Sequence, residues 1–160
     1  MHTAYLGLGS NINARANILS AMKSLEATFD NVAFSPVYEC PAVGFKGDDF
    51  LNLVACVDTS MPPLELKHYL FQLENEHGRD RNAPRWSSRT LDIDILLFDD
   101  LYLLSPQLEI PRKEILDCAH VLKPLADLAP DLLHPTERIT INELWTRFPD
   151  PKATLKPVTL

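Results

Sequence analysis

Residues 85–98 read RWSSRTLDIDILLF. In the second half of that stretch Asp92 and Asp94 alternate with Leu91, Ile93 and Ile95. Residues two apart on a β-strand point to the same face. The two carboxylates therefore share one face, and the aliphatic side chains anchor the other in the core. Carboxylates at this spacing suit a hard divalent cation. Mg²⁺ prefers oxygen ligands, keeps several waters and commonly takes one or two carboxylates plus substrate phosphates. The preceding loop carries Arg79, Arg81, Arg85 and Arg89, and guanidinium forks bind phosphate bidentately. An acid pair beside an arginine loop supplies what phosphoryl-type transfer from a nucleotide needs: positioning, and neutralisation of charge on phosphate oxygens.

Each half has a plainer reading. Alternating aspartates are often the solvated face of a half-buried sheet, and arginines in a loop are often surface. Together, with Trp86 in a polar loop where a core role is awkward, they favour a site. A Walker-type G-x-x-x-x-G-K-[ST] motif is absent, and GLGSN is too short for a dinucleotide fingerprint. Phe50 and Asn52 offer an aromatic face and a carboxamide to a planar heterocycle, or else a core residue and a turn-adjacent amide. Glu74 reads alone as a helix-surface acid. His68, His77, His120 and His134 show no ligand spacing.

The totals narrow the classes. A net charge of −7 argues against a general nucleic-acid binder, which needs a broad basic surface. The odd count of three cysteines, at unrelated spacings, speaks against a disulfide framework or a zinc site and fits a reducing compartment. The start MHTAYLGLGSN lacks the basic and apolar regions of a signal peptide. No apolar run approaches bilayer-spanning length. The expectation is a cytoplasmic protein with no membrane and no nucleic-acid partner.

These residues need a scaffold. TAYLGLGS reads as a first strand, and NINARANILSAMKSLEATF as a helix with Ile18, Met22, Leu25 and Phe29 at helical spacing. Asn11 or Asn13 is the expected cap. VAFSPVYEC is a second strand, edge or bulged because Pro36 cannot donate to a ladder. PAVGFKGDD is a loop. FLNLVACVDTS is a third strand with Asn52, Val54 and Cys56 on one face. PPLELKHYLFQLENEHG is a second helix closing at Gly78. TLDIDILLF is the fourth strand. PRKEILDCAHVLKPLADLAPDLL gives helical pieces broken at Pro124 and Pro130. TINELWTRF is a last helix capped by Thr140, and PDPKATLKPVTL is a tail with little to bury. A β-α-β-β-α-β order implies an α+β, ferredoxin-like antiparallel sheet with helices on one face and added C-terminal helices. One domain over residues 1–160 is expected.

The sequence resembles the 6-hydroxymethyl-7,8-dihydropterin pyrophosphokinase family of folate biosynthesis. The resemblance rests on YLGLGSN, DDFLN, LENEHGRDR, VLKPLADLAPDL and above all RWSSRTLDIDILLF. It implies a monomer that transfers the β,γ-diphosphate of ATP to the hydroxymethyl group of a dihydropterin, releasing AMP. Two Mg²⁺ ions would be held at Asp92 and Asp94. Arg79 and Arg89 would act with these acids in catalysis, Arg89 first as phosphate clamp and Arg79 second. Glu74, Arg81, Arg85, Trp86, Ile95, Arg112 and Lys113 would form the ATP site. Phe50 would stack on the pterin and Asn52 would bond its edge. Cys40, Pro41 and Val43 would offer backbone groups to the same ring. Ser87-Ser88 stand where familiar members have Gly-Pro. Cys118 and His120 stand where they have Arg and Phe, which makes His120 the second face of the pterin sandwich. A related kinase for a modified pterin, and a non-catalytic ferredoxin-like binding module, are the alternatives.

Overall fold

The computed structural model describes residues 1–149 and 155–160. In chain order the elements are β1 (His2–Ser10), α1 (Ala14–Thr28), β2 (Val32–Phe34), β3 (Val37–Cys40), β4 (Phe50–Thr59), α2 (Pro63–Glu76), β5 (Asp92–Phe98), β6 (Leu103–Leu104), β7 (Glu109–Ile110), α3 (Glu114–Asp117), α4 (Ala119–Leu128), α5 (Ile141–Thr146) and β8 (Lys156–Val158). The main sheet runs β5-β1-β4-β3-β8 with antiparallel pairing throughout, and β2 also pairs with β4. β6 and β7 form a separate two-stranded piece.

Period-two alternation divides the sheet into two faces. Ala4, Leu6, Leu8, Leu53, Ala55, Val57, Ile93 and Ile95 meet α1 and α2 in one core. The helices bring Ile18, Ala21 and Leu25, and Leu66, Leu70 and Leu73, at intervals of three and four. Burying each such large side chain is worth about 1.5–3 kcal/mol, so this stripe rather than helix propensity fixes both helices. On the opposite face Val54 and Leu96 pack with Ile115, Leu122, Leu125 and Ile141 from the C-terminal helices. Helices thus cover both faces, not one.

Several local expectations change. Asn13 occupies the cap position of α1 with a left-handed φ of 46° and no side-chain cap bond; Asn11 is engaged elsewhere, as described below. The stretch around Pro36 splits into β2 and β3. Phe34 pairs with Ala55 and Tyr38 with Asn52, so the outer chain spends four steps where β4 spends three. That extra residue is a bulge, closed by Ser35, whose N–H donates to the Val54 carbonyl and whose Oγ accepts from the Val54 N–H, both at 2.9 Å. β3 is not an edge, because β8 from the supposedly idle tail pairs along it, with Val158 and Leu160 packed on the core. Residues 150–154 of that tail lie outside the described ones. Pro124 does not break α4; the break falls at Cys118, with extended φ and ψ of −124° and 118°. An interior proline removes the bond to the carbonyl four residues back, here His120. Burial of Leu122, Pro124, Leu125 and Ala126 offsets that loss. Thr140 caps α5 as expected, accepting from the Glu143 N–H at 3.1 Å. Gly78 follows α2 at φ 77°, where only glycine is unstrained.

Candidate active site

β5 is the edge of the sheet and carries the acids. Across the strands Asn52 pairs with Gly9 and Gly9 with Asp92; one step along, Val54 pairs with Gly7 and Gly7 with Asp94. Paired residues share a face, so Asn52 and Asp92 look out from the same side with a glycine between them. Two strand spacings put their backbones about 10 Å apart. At Gly9 β1 presents a hydrogen atom where another residue would present a side chain, between the carboxamide and Asp92, while Gly7 lies under the Leu96 side chain.

The free edge of β5 is satisfied by α2. Glu74, 6% exposed, accepts the Ile93 N–H at 2.9 Å. Its Oε2 also meets Arg79 Nη1 at 3.2 Å and its Oε1 meets Arg81 Nη1 at 3.0 Å. Burial pushes the Glu74 carboxyl up, with the Ile93 N–H and the two arginines pulling it back. Arg79 Nη1 reaches further, to the Leu91 carbonyl at 3.0 Å and Asp92 Oδ1 at 3.2 Å. Arg81 is held along α2 by Asn75 Oδ1 at 3.0 Å and the Phe71 carbonyl at 3.1 Å, with its guanidinium 3.8 Å over the Phe71 ring. Glu74 is therefore no ordinary surface acid; it is the buried post to which two loop arginines are tied.

Asp94 lies deeper than Asp92. Burial, and then the neighbouring Asp92 charge, push its carboxyl up to about 7, with Arg112 pulling the other way. The Asp92 charge thus raises the proton affinity of Asp94, a repulsion that a divalent cation would relieve. The described residues offer no group of three or more His, Cys, Asp or Glu for a metal. A two-carboxylate set whose remaining ligands are water and phosphate is the donor set that Mg²⁺ takes, so the residues fit that ion.

A cleft of about 370 Å³ opens between α2, β5 and the β6–β7 piece. It is lined by Arg79, Arg81, Asp92, Asp94 and Arg112 and by Leu70, Phe71, Ile95 and residues 105–108. Ser105 and Leu108 close a turn there by mutual backbone bonds of 3.0 and 3.3 Å. Lys67 bonds the Gln107 carbonyl and ties α2 to this rim. A groove lined by both cationic and apolar side chains suits a ligand that carries both phosphates and a flat base. Lys67, Leu70, Phe71 and residues 105–108 escaped the sequence reading. Their signal, an aliphatic helix face plus a short polar turn, is shared by any buried helix and loop. Arg112 lines this cleft, with Glu114 at 2.5 Å, whereas Lys113 lines a neighbouring one of about 200 Å³.

Of the other expected site residues, Cys40, Phe50 and Asn52 come together on the far side of Gly9 from Asp92. Cys40 pairs with Phe50 across β3 and β4, and Asn52 Nδ2 donates to Cys40 Sγ at 2.9 Å. Phe50 stands edge-on to Phe45 at 6.3 Å. Pro41 and Val43 are exposed in the loop. His120 sits in the first turn of α4, partly buried; burial lowers its pKa, while Asp92 and Glu114 raise it.

The two loops are joined to each other and to β1. Asn11, 4% exposed, donates from Nδ2 to the Asp48 carbonyl at 3.0 Å and to Ser88 Oγ at 3.2 Å. Its Oδ1 accepts the Arg89 N–H at 2.7 Å. Trp86, 58% exposed, lies against Gly44, which adopts φ 83°. Arg85 stands 5.2 Å over the Trp86 ring. Arg89 turns back on its own loop, bonding the carbonyls of Pro84 at 2.8 Å and Arg85 at 2.7 Å, and Ser87 Oγ. In this structure Arg79, not Arg89, is the arginine on the acids.

Residues 5–130 match the protein family described as 7,8-dihydro-6-hydroxymethylpterin-pyrophosphokinase. The chain is 37% identical over 156 residues to a 2-amino-4-hydroxy-6-hydroxymethyldihydropteridine pyrophosphokinase of Haemophilus influenzae, covering 95% of this chain and 96% of that one. It is 43% identical over 138 residues to the protein of the same name in Pseudomonas aeruginosa, covering 84% and 85%. Among solved structures it is similar in fold to the Plasmodium falciparum HPPK-DHPS wild type, with a TM-score of 0.74, 15% identity and 99% of this chain covered. The chain spans about half of that longer protein, 48%.

Proposed function

The chain belongs to the 7,8-dihydro-6-hydroxymethylpterin-pyrophosphokinase family, and we propose that the edge of β5, the arginine loop and the Cys40–Asn52 wall are where it carries out the family's reaction. The enzyme transfers the pyrophosphoryl group of ATP to the hydroxymethyl group of hydroxymethyldihydropterin in folate biosynthesis. The hydroxymethyl oxygen bonds to the β-phosphorus as the bond from that phosphorus to the α,β-bridging oxygen breaks. AMP leaves, the hydroxyl proton passes to water, and the pterin carries the diphosphate.

The observation that best supports the placement is the line Asn52–Gly9–Asp92 across the sheet. A pterin on Asn52 and Phe50 would direct its hydroxymethyl group past Gly9 toward Asp92. Nucleotide in the cleft would bring its phosphates to the same acids from the other side. Mg²⁺, two ions in this reading, would be held by Asp92 and Asp94 and would neutralise charge on the phosphate oxygens. Glu74 holds Arg79 and Arg81 in the cleft wall. Arg112 lines the same cleft and Lys113 the neighbouring one. Arg85, Trp86 and Arg89 are carried by the loop, and Arg89 exchanges its loop carbonyls for phosphate when the site fills. Ile95 and Leu70 would pack on the adenine. Cys40, Pro41 and Val43 would offer backbone groups to the pterin, and His120 would cover its second face.

With β2 and β3 counted as one bulged strand, the order fourth, first, third, second supports a ferredoxin-like reading of the sheet. The reading includes a single pyrophosphokinase domain over residues 1–160, acting as a monomer in the cytoplasm; among the described residues no helix is long and apolar enough to cross a membrane. Asp92→Ala and Asp94→Ala test the placement. Both should fold, since neither side chain fills the core, and both should lose nearly all turnover at saturating Mg²⁺. Near wild-type kcat in either variant overturns the assignment of metal to that position.

A further inference from the structure

One nitrogen of Arg79 does three things at once. Nη1 lies 3.2 Å from Glu74 Oε2, 3.0 Å from the Leu91 carbonyl and 3.2 Å from Asp92 Oδ1. Three acceptors around one cationic group form a small oxygen cage at the edge of β5. Arg79 is 16% exposed at the side chain and Asp92 is 45% exposed. The guanidinium therefore sits inside, between the buried acid and the half-exposed one. Arg81 carries the same charge into the same cleft but bonds Glu74, Asn75 and Phe71 and makes no bond to Asp92.

We propose that Arg79 is a built-in placeholder for the metal: it satisfies Asp92, and a divalent cation must take Asp92 from it. The inference rests on the reading of Asp92 and Asp94 as metal ligands and adds a second role to Arg79. A cation and a guanidinium compete for the same carboxylate oxygen. The carboxylate pair is thereby kept partly neutralised when no metal is present, and Asp92 is held in one orientation. When the cation arrives, the guanidinium loses an acceptor in the cleft, where phosphate oxygens are the natural replacement. Metal and nucleotide then each favour the arginine position that suits the other, which is a coupling of binding free energies. Arg79 acts here as a positioning residue for the metal.

The structure also indicates that the test variant will fold. Without Arg79, Glu74 still holds Arg81 at 3.0 Å and the Ile93 N–H at 2.9 Å. The probe is Mn²⁺ alone, with no nucleotide, titrated into the whole protein while free Mn²⁺ is read by electron paramagnetic resonance. Arg79→Gln should bind Mn²⁺ about three- to fivefold more tightly than wild type, the range set by a partly exposed ion pair. Arg81→Gln should change binding by less than half as much. Equal tightening in both variants would mean a general charge effect and overturn the placeholder. So would unchanged binding in Arg79→Gln. Asp92→Asn separates the two levels of the argument: it should weaken Mn²⁺ binding. If it does not, the metal reading fails and the placeholder with it; if it does while Arg79→Gln has no effect, only the placeholder falls.

Discussion

The amide oxygen of Asn52 lies 2.9 Å from the point that a Cβ on Gly9 would occupy. No real Cβ tolerates that approach, so Gly9 is glycine because Asn52 reaches over it. The Asn52 amide is already committed on its other side, donating to Cys40 at 2.9 Å, and the residue is 8% exposed. Gly9→Ala must push the carboxamide away from where the pterin would bond. We expect a fold that survives, an unchanged KM for ATP, and a pterin KM raised about fivefold, from one lost hydrogen bond of ~1 kcal/mol. Steady-state kinetics with each substrate varied in turn provide the check; equal effects on both KM values would remove Asn52 from the pterin site.

His120 gives a pH-dependent prediction. Burial lowers its pKa below the ordinary histidine value, and Asp92 and Glu114 only partly restore it. A histidine with a lowered folded pKa is neutral at neutral pH and takes its proton only below about 6.5. Pterin affinity should therefore be level from pH 7 to 8 and fall on the acid side, because a charged ring buried against a heterocycle costs solvation. His120→Phe should keep the affinity and abolish the acid fall. His120→Ala should weaken the pterin by about 1 kcal/mol of stacking, with ATP binding unaffected. Calorimetric titration in the presence of an unreactive ATP analogue measures all three. An unchanged pterin Kd in His120→Ala would place another residue on that face.

Asp94 gives a stability prediction of definite sign. Its carboxyl is raised to about 7, first by burial and then by Asp92. A group that binds its proton more tightly when folded adds stability at low pH. That contribution is intact below about pH 4, the unfolded value, and drains away as pH climbs to about 7. Asp94→Asn imitates the protonated form. In EDTA it should melt higher than wild type at pH 8, and the gap should close as pH falls toward 4. Scanning calorimetry at several pH values decides it; a gap that does not depend on pH would mean that Asp94 is not held near neutral charge.

Much of this site could be read from the sequence, because its chemistry is written in local spacing. Asp92 and Asp94 share a face by strand periodicity alone, and the arginines crowd one loop. Helices α1 and α2 followed from their apolar stripes. What escaped depended on distant contacts. Glu74 looks like any helix acid until the edge of β5, lacking a partner strand, needs its carboxylate. Arg79 reaches Asp92 only because α2 places Glu74 beneath it. Asn11 looks like a helix cap, but two loops far apart in sequence converge on its amide. Pro124 reads as a breaker, and burial of its neighbours overrides that preference. The tail reads as idle, and strand β8 exists because β3 has an open edge to receive it. The cleft wall formed by Leu70, Phe71 and residues 105–108 has no signature shorter than the fold itself.

The central claim is that this chain moves two phosphorus atoms together and leaves AMP. It is tested most directly with ATP labelled at the β-phosphorus, incubated with Mg²⁺ and 6-hydroxymethyl-7,8-dihydropterin. The account predicts that the label leaves the nucleotide and appears on the pterin in step with unlabelled AMP, and that no transfer occurs without the pterin. Label retained in ADP, with a single phosphate on the pterin, would contradict it.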